Sequence, residues 1–239
     1  MSPDKPLFKI RKPSRRDHKP PPGPDMGARI LDAAEFVFGH FGLRGATTAL
    51  IAKKAGIAKP HIYYYFEDKD DLYRAILERA MNKWARDIDK LDARSDLATI
   101  LTEYIHRKVD FSRDCPYLSR IYATEIISGA PYIGEFIEKI STPLLLQKVK
   151  DVDAWAAQGL IAPISAMDLF FCIWAMTQAY ADVSSQMCIM KKKRVLDEAD
   201  YAAAKATIVQ LVLGGLGLAV TGPRKAAGRP RSRAGRPTA

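Results

Sequence analysis

The stretch Gly45–Leu72, GATTALIAKKAGIAKPHIYYYFEDKDDL, decides how this chain is read. Its pattern predicts two short helices joined by a tight glycine turn, then the start of a long third helix. The hydroxyls of Thr47 and Thr48 can cap free backbone N–H groups where the first helix begins. Leu50, Ile51 and Ala55 give that helix an apolar face at helical spacing. Gly56 ends it, as glycine does just past a helix C-terminus. Pro60 suits a first helical position, where its missing N–H would be unpaired in any case. It also steers Lys59 away from helical geometry, so the second helix starts at Lys59-Pro60. Ile62 and Phe66 share a face that can seal against the first helix. Lys59, His61, Tyr63, Tyr64 and Tyr65 spread around the remainder. Asp68 caps the third helix, with Asp71 three residues on as an approximate capping-box partner.

Helix, glycine turn and helix make a helix-turn-helix, whose second helix fits a DNA major groove. The open face strengthens that reading. It carries a basic residue, an imidazole and tyrosine hydroxyls, which donate to phosphates and base edges. The alternative is that the tyrosines are amphipathic core aromatics.

The same residues resemble the DNA-binding signature of the TetR family of bacterial repressors. The shared points are the Thr pair, the Ala-Gly turn, the Tyr-x-Tyr-Phe ending of the recognition helix, and the Lys-x-x-Leu opening of the next helix. The resemblance implies that Thr47, Thr48, Tyr65 and Lys69 hold phosphates. It places Lys59, His61, Tyr63 and Tyr64 toward the groove, with Pro60 at the helix start. Two positions depart from the family pattern. Ala58 stands where a capping Ser is usual, leaving a helix N-terminus that a DNA phosphate could cap instead. Ala49 cannot read a base.

The net charge of +10 over 239 residues is unevenly placed. Residues 1–26 hold seven Lys/Arg and three Asp, residues 222–239 hold six Lys/Arg and no acid, and the body between them is neutral. Both tails are rich in proline or small residues and cannot bury enough apolar surface to fold alone. They are read either as solubilising segments or as non-specific attractors of phosphate. Gly228-Arg229-Pro230 and Gly235-Arg236-Pro237 resemble AT-hook cores, which lay arginine in narrow A·T minor grooves.

Several function classes are set aside. No apolar run reaches the ~18 residues of a membrane span, and the basic, proline-rich N-terminus is no secretory signal. Cys115, Cys172 and Cys188 are widely spaced and odd in number, as free thiols in a reducing cytoplasm would be. His18, His40, His61 and His106 form no metal-ligand pattern. No nucleophile–base set or phosphate loop appears, so neither an enzyme nor a cofactor is expected.

The rest of the chain reads as an all-α protein of about nine helices. A supporting helix covers 27–41 and is ended by Gly42. A long helix runs from 69 to about 93, and others lie near 96–112, 117–128, 132–158, 165–189 and 198–219. Pro143 predicts a kink or break, and Ser165 with Asp168 an approximate capping box. The expected organisation is a tail at 1–26, a DNA-binding head at 27–72, a ligand-binding and dimerisation body at 73–221, and a tail at 222–239. Two apolar stripes fit a homodimer interface: Leu169, Phe170, Ile173, Met176 and Tyr180, and Ile208, Leu211, Val212, Gly215, Leu216 and Ala219. They fit an internal core equally well.

A second resemblance covers the body. FSRDCPYLSRIYATEIISGAP (111–131) and FFCIWAMTQAYAD (170–182) are similar to the pyrimidine-utilisation (RutR-type) subgroup of TetR repressors. The resemblance implies a uracil-like effector held by Trp84, Trp174 and Gln178, and release of a palindromic operator when it binds. The chemistry agrees: a flat base wants an aromatic face and an amide with both donor and acceptor. Ala85 stands where a larger apolar residue is usual, which widens the pocket. Two alternatives are a regulator sensing a larger hydrophobic compound and an architectural DNA binder acting through its tails.

Overall fold

A computed structural model describes residues 26–89 and 96–219, and every regular element among them is helical. The basic tails and their Gly-Arg-Pro units lie outside the described residues. The head comprises α1 (Met26–Gly45), α2 (Thr48–Ala55), a short recognition segment (Lys59–Tyr64) and the start of α3 (Lys69–Asp89). The body continues with α4 (Leu97–Asp114), α5 (Pro116–Ile127), α6 (Gly134–Phe136), a π-helical segment (Ile137–Ser141), α7 (Thr142–Ala157), α8 (Ala166–Asp182), α9 (Ser184–Lys191) and α10 (Glu198–Gly215).

The local rules that shape the head act as expected at α2. Thr47 Oγ1 accepts from Leu50 N at 3.2 Å, and Gly56 turns out in the left-handed region at φ 66°. α1 differs from expectation. Gly42 breaks its geometry at φ 65°, but the chain winds one further turn to Gly45. The Lys69 ammonium holds that turn, donating to Leu43 O at 2.7 Å and Ala46 O at 3.2 Å. At the start of α3, Asp71 N donates to Asp68 Oδ1, while the Asp71 carboxylate accepts from Glu67 N rather than from Asp68.

Three further differences appear in the body. The predicted helix at 132–158 is interrupted by the π segment, where Thr142 N donates to Ile137 O. Pro143, which brings no N–H, sits in the first turn of α7. The predicted helix at 165–189 breaks at Val183, because Ala181 O is taken by Arg120 Nε at 3.0 Å and Ser184 Oγ at 3.1 Å. The expected capping box at Ser165 is half made, by Asp168 N at 3.4 Å, whereas Asp197 and Asp200 form a full one at α10.

The apolar residues form two clusters. One joins α1, α2, Ile62 and the first half of α3 to Phe111, Leu118, Ile121, Ile133 and Phe136 of the body. The other packs α4, α7, α8 and α10 together. The stripes expected at a dimer interface divide between this core and the surface. Leu169, Phe170, Ile173, Ile208, Val212 and Leu216 are buried, whereas Leu211 and Gly215 point outward.

Head and body meet at a point of close approach. A Cβ on Gly39 of α1 would lie 2.6 Å from Tyr117 Cβ on α5. Gly39→Val should therefore push α1 and α5 apart and cost about 1–3 kcal/mol, as overpacking does. Chemical denaturation of the purified protein measures this as a lower midpoint at unchanged slope.

Candidate nucleic-acid interface and ligand cavity

The recognition segment winds as a 3₁₀ helix, not the α-helix its sequence suggested. Ile62 anchors it, fully buried, and its carbonyl accepts from both Tyr65 N and Phe66 N at 3.0 Å. Pro60 lies in its first turn, and Ala58 provides no side-chain cap. Lys59, Pro60 and Tyr63 are exposed, while His61, Tyr64 and Tyr65 are half-buried. None of the six lies inside the core. The Thr48 hydroxyl meets the Tyr63 hydroxyl at 3.2 Å, which joins the start of α2 to the recognition segment. Arg29 Nη2 donates to Ala55 O at 2.8 Å, fixing α2 to α1. Thr47 is exposed beside them with its hydroxyl engaged as the cap of α2. Lys69 donates to the carbonyls of Leu43 and Ala46, two of the three bonds its ammonium can make.

A cavity of about 270 Å³ opens where the two apolar clusters meet. It brings together Trp84 from α3 with Trp174 and Gln178 from α8. Trp174 Nε1 donates to the Tyr104 hydroxyl at 2.7 Å, which leaves the indole face for stacking. Trp84 is held by Tyr122 in an edge contact at 4.2 Å and by Phe111 at 5.2 Å. Its Nε1–H is buried without a hydrogen-bond partner among the described residues. Gln178 is half-buried and has no recorded hydrogen bond among them, so both ends of its amide are available. Leu144, Leu145, Met167 and Ile137 make the rest of the wall mainly apolar, and Ala85 leaves it open beside Trp84.

Sequence reasoning missed Lys108. It lines this cavity on α4, is 5% exposed, and holds its ammonium 4.7 Å from the Trp84 ring centre. The signal was there: Lys108 falls on the stripe of Leu101, Tyr104, Ile105 and Ser112, which faces inward. Other residues of the body resemblance serve packing. Ser112 Oγ donates to Thr177 O at 2.9 Å, and Ser119 Oγ donates to Asp182 at 2.7 Å. Burial pushes the Asp182 carboxyl above its usual range, against the pull of the Ser119 hydroxyl and of Arg120 and Lys108.

A buried polar joint links the cavity side to the head. Glu125, 2% exposed, accepts from Tyr132 N at 2.6 Å and from the Tyr73 hydroxyl. Tyr132 in turn donates to Asp70 at the start of α3 at 3.0 Å. Burial, with the Glu125 carboxylate beside it, pushes the Tyr73 phenol well up. No described helix is long and apolar enough to cross a membrane, and no described His, Cys, Asp or Glu cluster could hold a metal ion.

A helix-turn-helix head with a polar open face, set on a helical body with its own cavity, defines a DNA-binding regulator. Comparison with known proteins agrees. Residues 30–76 match the model of bacterial regulatory proteins of the tetR family, and residues 77–219 match that of the YcdC-like protein C-terminal region. The chain belongs to the TetR family of transcriptional regulators and is not an enzyme. It is 32% identical over 189 residues to the HTH-type transcriptional regulator RutR of Escherichia coli K12, covering 78% of this chain and 88% of that one. A tetR-family regulator from Rhodococcus RHA1 has the same fold, with a TM-score of 0.66 at 20% identity over 82% of this chain and all of that one. So does AibR, solved with isovaleryl coenzyme A and operator DNA, with a TM-score of 0.62 at 15% identity over 78% of this chain and 97% of its own.

The Lys69 contacts make a separable expectation. Lys69→Met should destabilise the DNA-free protein by about 1–3 kcal/mol, since it removes a charged donor from two partly buried carbonyls. Thermal denaturation without DNA reads this directly. A residue that served only phosphate would instead lower the salt slope of DNA binding by about one and leave stability unchanged.

Proposed function

We propose that the protein is a dimeric repressor that holds a palindromic operator and releases it when a small planar ligand of the pyrimidine-base class enters the cavity. The observation that carries this reading is the convergence of Trp84, Trp174 and Gln178 on one cavity. A volume of about 270 Å³ falls just below the ~300 to ~1,000 Å³ common for ligand pockets, which suits a small ligand. Similarity to RutR supports the same class of effector. Trp174 would supply the stacking face, and the Gln178 amide would pair with the alternating C=O and N–H edge of the base.

On the DNA side, residues 27–72 form the reading head. Lys59, His61, Tyr63 and Tyr64 face the groove, and Thr47, Thr48 and Tyr65 hold phosphates. The Lys59 N–H ahead of Pro60, with no side-chain cap from Ala58, suits a phosphate as well. Residues 73–221 bind effector and pair the protomers. The outward faces of α8, with Cys172 and Ala175, and of α10, with Ala203, Thr207, Leu211 and Gly214, bear no charge at these positions and suit a four-helix interface. A two-fold pair would set the heads about 34 Å apart, one turn of DNA. The protein would act in the cytoplasm, at the chromosome. Ligand and operator then compete through the dimer's shape, and the effect is limited by the ligand's differential affinity for the two shapes.

A second reading, an effector larger and more hydrophobic than a base, is favoured by the apolar wall of Leu144, Leu145 and Met167. One experiment separates the two. Fluorescence anisotropy of operator binding, with uracil, thymine, medium-chain acids and unrelated aromatics added, should show release by the pyrimidines alone. Release by the acids alone would select the second reading. Gln178→Leu should weaken the pyrimidine response by roughly ten-fold, the loss of about one hydrogen bond. His61→Ala should weaken operator binding and leave effector binding to the DNA-free protein unchanged.

A further inference from the structure

Between α9 and α10 lies a basic run that neither the recognition segment nor the cavity uses, Lys191-Lys192-Lys193-Arg194. Its alternate members differ. Lys191 and Lys193 donate to the Asp200 carboxylate at 2.7 Å and 2.8 Å, and Lys193 also donates to Asp197 at 2.7 Å. Lys192 and Arg194 are exposed, and the run's hydrogen bonds and ion pairs among the described residues belong to their neighbours. The acids that follow in sequence are already engaged: Asp197 and Asp200 by the two lysines, Glu198 by Arg113. Lys192 caps α9 at φ 54°, a left-handed position where glycine is usual. With pinned lysines on both sides, it is held in a set place.

The run sits at the end of the body that meets the head. Arg113 Nη1 at the end of α4 donates to Glu198 at 3.1 Å, and Lys205 donates to Asp110 of α4 at 2.6 Å. Asp114, next to Arg113, lines a groove of about 410 Å³ that Lys54 of α2 and Asp32 of α1 line as well. The other end of α10 is remote: Leu216 O accepts from Ala162 N, roughly 27 Å away by the rise of a helix this long. In a helix-turn-helix the first helix, here α2, crosses the DNA backbone.

We infer that Lys192 and Arg194 make a second DNA contact, with phosphates beyond the bases that the recognition segment reads. Duplex DNA carries one negative charge per ~1.7 Å of axis, so two cations this close in sequence can each meet a phosphate. Such a contact positions the protein and strengthens binding without reading sequence. It does not depend on which effector fills the cavity.

Titration of the full-length protein with a fluorescent random-sequence duplex, at several salt concentrations, tests this. In Lys192→Gln/Arg194→Gln the slope of log affinity against log salt should become shallower by about two, since each phosphate contact adds about 0.9. Lys192→Arg/Arg194→Lys should keep the native slope. So should Lys148→Gln/Lys150→Gln, which removes the same charge from α7, the helix that leads to the Ala162 end of the body. A native slope in Lys192→Gln/Arg194→Gln, or an equal fall in the α7 variant, would overturn the inference and leave the helix-turn-helix reading standing. Binding to phosphatidylglycerol vesicles that needs Lys192 and Arg194, with the DNA slope unchanged, would also overturn it. A native protein that binds no duplex would overturn both.

Discussion

One continuous helix sets the terms for the rest of the molecule. α3 begins five residues after the recognition segment and carries Trp84 into the cavity wall. Fifteen helical residues separate Lys69 from Trp84, roughly 22 Å along the axis. A helix packed on both flanks cannot shorten or bend cheaply. The same helix thus carries Trp84 at the cavity and, at its other end, Lys69, whose ammonium pins the last turn of α1. The cavity adds to this constraint because it lies between the two apolar clusters rather than inside either one. A ligand there touches both packing units, one continuous with the head and one confined to the body.

The polar joint around Glu125 is a second contact between the body and the start of α3. Tyr132 lies between the Gly129–Ala130 turn and α6, and the π segment that follows contributes Ile137 and Ser141 to the cavity. Ala130 holds φ 57°, a conformation that side chains rarely adopt, so the turn is over-determined by its surroundings. Carbonyls in a π turn are not locked into the α ladder, and such segments often mark functional sites. Glu125, Tyr132 and Asp70 therefore form a bonded link from α5 to the first turn of α3.

How much of this could be read from sequence depended on how local its cause was. The cap at Thr47 and the turn at Gly56 are matters of backbone chemistry within a few residues, and both stood in the sequence. Pro143 also signalled an irregularity, which the fold places just before it, as the π winding of Ile137–Ser141. The 3₁₀ winding of Lys59–Tyr64 did not stand there, because it depends on where Ile62 is seated. The break after α8 did not either, since the group that takes the Ala181 carbonyl is Arg120, sixty-one residues away. α10 misled for another reason: its second half is apolar on most faces, so periodicity could not say that Ile208 and Val212 face the core while Leu211 faces out. Trp84, Trp174 and Gln178 came from likeness to a family, and the fold brings them to one cavity. Lys108 was hidden by its own type, since lysines on amphipathic helices are usually solvated.

The connection from α8 to α10 is closed off at both ends. Arg120 finishes α8, while Asp197 and Asp200, with Lys191 and Lys193, open α10 through their own capping box and ion pairs. Between those ends α9 exposes Ile189 and Met190, the connection after it exposes Val195, and neither contributes to the cavity wall. Because Lys191 and Lys193 grip Asp200 from that connection, the segment is stitched to the first turn of α10 and cannot be cut away without loosening the helix it leads into.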